Sequence, residues 1–160
     1  MRCLYILIDS STKGVKKDTK KTKYGESSAF WCAFRNKLEG MPCRAGFIYS
    51  NYEGTNKIFF DGVIRALESC YYLVRQGWIV KVMGDNKPVI KILRGEWQAI
   101  ELKPFYNQVK EIERKYRGKE ISYDYMGEET EIYKKVDEGA KHYRNFIKQK
   151  FEKTEKPKNK

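Results

Sequence analysis

The chain has 160 residues, of which 41% are hydrophobic and 14% aromatic, and its 33 Lys and Arg against 21 Asp and Glu give a net charge of +12. That length accommodates one sizeable core and is short for two, and the apolar content excludes a chain that stays unfolded over most of its length. The positive excess favours a polyanionic partner, with nucleic acid the first to test.

The first apolar run, Cys3 to Ile8, is too short for a secretory leader or a membrane span and ends in an aspartate, Asp9. No later stretch is long enough to cross a bilayer, so the expectation is an intracellular, cytoplasmic protein with no membrane association and no obligate protein partner. Leu4 to Asp9 is rich in β-formers and suits a central strand buried on both faces. The lysine-rich VKKDTKKTKYGE reads as a basic loop. SSAFWCAFRN and CRAGFIYSN follow as two strands joined by a turn, which makes the first three strands an antiparallel meander.

From Thr55 to Gln76 the period becomes helical, with Phe59, Val63, Ala66, Leu67, Cys70 and Val74 on one side and Gly77 as the stop. WIVKVMGD is a second apolar run that stops at an aspartate, Asp85. Pro88 fits the first turn of a helix whose Val89, Ile92 and Leu93 form a buried face. A further helix is predicted from Pro104 to about Tyr116, a strand over KEISYDYM, and a last helix from Glu131 to about Phe151. The organisation is one domain over residues 1–147 and a basic tail without fixed structure over 148–160. The four cysteines show no CxxC pair and read as buried free thiols.

Ligands of open α/β sheets gather at the carboxyl ends of strands, so Asp9 and Asp85 are candidates to converge there. Each taken alone also fits as a turn or helix cap. At this point the pattern resembles a known family. LYILIDSST is similar to the first strand of the type 1 ribonuclease H family, and VKVMGDNKPVIKILRGEW to its fourth strand and next helix. There Gly84-Asp85-Asn86, the apolar Val89 to Leu93, and Gly95-Glu96-Trp97 supply the parts in order. GTNKIFFDGVIRALE is similar to the family's first helix and KKVDEGAKHY to its last, so the likeness runs over about residues 1–146.

The resemblance implies an α/β, ribonuclease H-like fold: a five-stranded mixed sheet, antiparallel over its first three strands and then parallel, flanked by helices. It also implies a metal-dependent endonuclease that hydrolyses the RNA strand of RNA–DNA hybrids with two Mg2+ ions, Mn2+ being the substitute. Asp9 would bridge the ions, Asp85 would share the first and Asp137 the second. Carboxylate oxygens suit such hard cations, and a metal pair can activate water while stabilising the leaving oxygen.

The family's remaining ligand is a glutamate in Asn-x-x-Ala-Glu at the start of the first helix. This chain has Asn56-Lys57-Ile58-Phe59-Phe60-Asp61, and an ungapped alignment puts Phe59 at the glutamate position. Asp61 completes the carboxylate set if that helix opens late or irregularly, with Glu53 as an outside candidate. The alternative is a catalytically impaired domain that binds nucleic acid. The loop MGEETE lacks the family's histidine, and His142 does not match it. Thr55 and Asn56 match the family's polar pair that reaches the minor groove, and Asn86 and Lys87 its contacts to a base edge or the RNA backbone. Helix capping is the competing role. Lysines between Lys13 and Lys23 and the aromatics Trp31, Trp97, Tyr123 and Tyr125 are further candidates for phosphate contact and stacking, although strand aromatics are more often core.

Overall fold

The computed structural model of the chain describes residues 2–12, 27–50, 54–127 and 130–138, with 141, 142, 145 and 149 beyond them. Alternation along the first strand divides the molecule. β1 (Cys3–Thr12) sends Leu4, Ile6 and Ile8 into the larger apolar core and Leu7, with Tyr5 beside it, into a smaller one on the other face, because successive side chains of a strand point to opposite faces. Asp9 has the parity of Leu7 and shares its face.

β2 (Ser27–Arg35) pairs antiparallel with β1, and β3 (Arg44–Ser50) antiparallel with β2. After helix α1 (Thr55–Cys70), β4 (Ile79–Gly84) runs parallel to β1. Two helices, α2 (Lys87–Leu93) and α3 (Lys103–Lys115), precede β5 (Glu120–Tyr125), which is parallel to β4. The sheet order is β3-β2-β1-β4-β5. A last helix, α4, is described over 131–138.

Side chains of α1, α2 and α3 fill the larger core: Phe59, Phe60, Val63, Leu67, Val89, Leu93, Val109 and Ile112 join Val80 and Val82 of β4. α4 closes the other face with Val136 and Ile132 against Leu7, Phe30, Phe34 and Met83. No described helix is long and apolar enough to cross a membrane.

Three expectations are adjusted. α1 ends at Cys70 rather than Gln76: a 3-10 turn (Tyr71–Leu73) tightens its end, and Val74 takes an extended backbone while still reaching the core. β1 continues past Asp9 to Thr12, because its pairing with β2 extends to Thr12 opposite Ser27. All four cysteines are free and Cys32 and Cys70 are buried, which pushes their thiols up to about 12, but Cys3 is only half-buried and Cys43 is exposed. The lysine loop from Lys13 to Lys23, Glu53, Glu128 and Glu129 lie outside the described residues, as does nearly all of the predicted tail.

Candidate functional site

Register brings the first two aspartates together. Ile8 pairs with Gly84 at the last step of the parallel ladder between β1 and β4, so Asp9 and Asp85 stand next to each other just beyond it. Gly84 has no room for a side chain: a Cβ there would lie 2.3 Å from the Phe59 ring and 2.8 Å from the Ile8 carbonyl oxygen. Its small size lets the chain turn over Phe59 and deliver Asp85.

α4 supplies the rest from the far side of the sheet. Tyr133 and Asp137 are four residues apart and share one face of that helix. The Tyr133 hydroxyl lies 2.7 Å from Asp85 Oδ1, 3.0 Å from Asp9 Oδ1 and 2.9 Å from the Ile8 carbonyl oxygen. Asp137 hydrogen-bonds to Asp9 through a carboxyl–carboxylate contact, and the Lys141 ammonium sits 3.0 Å from its Oδ2.

The electrostatics follow from this crowding. Asp9 is only 4% exposed. Its carboxyl is pushed up to about 8, first by burial, then by the hydrogen bond and charge of Asp137 and the charge of Asp85, while the Tyr133 hydrogen bond pulls the other way. Burial and the two neighbouring carboxylates raise the Tyr133 phenol far above its ordinary range, which keeps it a neutral donor. Among the described residues no group of three His, Cys, Asp or Glu is arranged as it stands to hold a metal ion. The space between Asp9 and Asp85 is taken by the tyrosine hydroxyl.

Beside the acidic corner, Thr55, Asn56, Asn86 and Lys87 line one cleft together with Asp85 and Tyr125. Asn86 caps α2, accepting a hydrogen bond from the Val89 N–H, and its side-chain amide donates to Asn56 Oδ1 at 2.9 Å. That bond ties the start of α1 to the start of α2. The residue before Thr55, Gly54, holds a positive φ of 81° and gives α1 no side-chain cap, so Thr55 is not the capping residue. Lys87 Nζ lies 4.9 Å from the centre of the Tyr125 ring, and Lys91 Nζ 4.6 Å from that of Trp97. Tyr125 and Trp97 are about half exposed, whereas Trp31 and Tyr123 are core.

Asp61 is not brought to this corner. Its Oδ1 is 3.6 Å from Arg65 Nε one turn along α1, and it lines a groove with Glu68, Gln108 and Lys115 between α1 and α3. The reason is helical geometry. Phe59 is the residue turned toward Gly84, and a residue two positions on points about 200° away at 100° per residue. α1 begins regularly at Thr55, with no late or irregular opening to swing Asp61 round. His142 is exposed.

No family model and no curated protein sequence matches the chain. Solved structures do. The N-terminal RNase H domain of a Mycobacterium tuberculosis protein superposes with a TM-score of 0.71 at 16% identity, covering 94% of this chain and 99% of that one. The fold is ribonuclease H-like. LC11-RNase H1, isolated from compost by a metagenomic approach and solved in complex with an RNA/DNA hybrid, gives 0.66 at 18% identity over 84% of this chain and 91% of its own. RNase H1 from the halophilic archaeon Halobacterium salinarum gives 0.58 at 17% identity, over 76% of this chain and 84% of that one.

Within this ribonuclease H-like sheet the acidic corner stands where β1 and β4 stop pairing. Tyr133 is the residue that reading the sequence missed. The signal was its spacing: four residues before Asp137 on a helix puts a side chain on the same face, one turn away.

Proposed function

We propose that the chain is a divalent-metal-dependent endonuclease of the ribonuclease H type that cleaves the RNA strand of RNA–DNA hybrids. One observation carries the reading: at one end of a ribonuclease H-like sheet Asp9 and Asp85, from the ends of two parallel strands, share the buried Tyr133 hydroxyl, and Asp137 of the last helix hydrogen-bonds to Asp9. The donor chemistry fits Mg2+ or Mn2+, since all three side chains offer hard oxygens. Burial and the like-charged Asp137 and Asp85 raise the Asp9 carboxyl, and a divalent cation would offset both costs. Bound as a pair, such ions supply an activated water and charge stabilisation for the leaving oxygen.

In this reading Asp9, Asp85 and Asp137 hold the ions, and Asp61 has no part. Thr55, Asn56, Asn86 and Lys87 hold the hybrid, their amides and hydroxyl suited to the 2′-hydroxyls that distinguish RNA from DNA and the ammonium to phosphate. The net charge of +12 supports the phosphate part of that binding. The hybrid bound to LC11-RNase H1 supports the choice of partner.

Incubation of the pure protein with labelled hybrid, double-stranded RNA and single strands, in Mg2+, Mn2+ or EDTA, tests the proposal. Cleavage confined to the RNA strand of the hybrid and dependent on metal is the expected result. A second reading, a binding module with impaired catalysis, is favoured by the fully buried Phe59 at the family's glutamate position. It takes over if no substrate is cut with either metal while hybrid binding persists and weakens steeply with salt.

A further inference from the structure

The Tyr133 hydroxyl meets three acceptors, Asp85 Oδ1 at 2.7 Å, the Ile8 carbonyl oxygen at 2.9 Å and Asp9 Oδ1 at 3.0 Å, and a phenol has one proton to give. It serves one of them fully and presents lone pairs to the others. As a partner for two carboxylates it is therefore weaker than a divalent cation, which attracts both at once. The side chain is only 1% exposed, so the hydroxyl is shielded from bulk solvent. The Lys141 ammonium engages Asp137 instead.

We propose that Tyr133 is a placeholder for the cation shared by Asp9 and Asp85. Its hydroxyl holds the two carboxylates together in the ion-free protein, gives way when a divalent ion is taken up, and so sets the ion affinity of the site. The inference rests on the metal-dependent reading above. The device follows from α4 itself, since one face of one helix delivers both the Asp137 carboxylate and the hydroxyl that stands in the ion's way. Tyr133 is a positioning residue here, with no contact to substrate required.

The test is Tyr133→Phe, which keeps the ring and its packing and removes only the hydroxyl. Titration calorimetry with Mg2+ alone and with Mn2+ alone is run on wild type and variant. Loss of a competing hydrogen bond is expected to tighten the ion Kd of the variant by about three- to tenfold, whereas mere structural damage would weaken it. In wild type, adding Mg2+ should shift the near-ultraviolet tyrosine band, and that shift should be missing from Tyr133→Phe. Ion uptake by the variant and not by wild type also supports the placeholder. An unchanged or weaker Kd in the variant overturns it, as does ion binding by wild type with no change in the tyrosine band. If wild type cuts hybrid with Mg2+ but the variant binds no tighter, the placeholder fails and the nuclease reading stands; if neither protein takes up either ion, both fail.

Discussion

The two faces of the sheet are built to different ends. The face under α1, α2 and α3 is an apolar core whose polar groups are settled locally: the Tyr116 hydroxyl donates to the Leu67 carbonyl and the Tyr123 hydroxyl to Glu113 at 2.6 Å. The face under α4 has the smaller core, and it ends in carboxylates held near one another around a phenol. Packing on the first face adds stability without conflict. On the second, burial and like charge work against folding. Gly84 and Phe59 mark the boundary, because the ring that belongs to the first core underlies the turn that presents Asp85 to the second.

The largest expected effect lies at that boundary. Gly84→Ala forces a methyl into the Phe59 ring and the Ile8 backbone, and should destabilise by about 2–4 kcal/mol, read as a lowered urea midpoint. An unchanged midpoint would mean that the boundary is looser than its contacts imply.

Asp9→Asn separates the two faces by sign, for it should stabilise the fold and abolish cleavage. The Asp9 carboxyl is raised from 3.8 to about 8 on folding, so between those values the folded state holds a proton that the unfolded chain has released. Wild-type stability should then fall as pH climbs from about 4 to about 8 and level off above. The variant, with nothing to titrate there, should lose most of that slope and be more stable at pH 7 by about 1–3 kcal/mol in the absence of metal. Urea denaturation across pH in EDTA measures both, and a variant less stable than wild type at pH 7 would sink the electrostatic account of this corner.

Asp61→Asn should do least. It removes a partly exposed ion pair with Arg65 and should shift stability by less than about 0.5 kcal/mol, with hybrid cleavage unchanged. Loss of metal-dependent cleavage in that variant would return Asp61 to the catalytic set.

Much of this was legible in the sequence. Apolar runs that stop at aspartates marked β1 and β4, and a change of period marked α1, because burial on two faces or on one leaves a pattern in consecutive residues. Asp9 and Asp85 followed from where those runs end, and Asp137 from its place in a motif resembling the last helix of a known family. The tertiary structure alone decided which way α1 is rolled, and so that Phe59 rather than Asp61 lies toward Gly84. It alone set Asn86 against Asn56, and the Tyr133 hydroxyl between carboxylates 124 and 48 residues away in the chain. Periodicity reports that a side chain is buried but not against what, since the partner is fixed by strand register and by the seating of a helix on the sheet, which many distant residues set together.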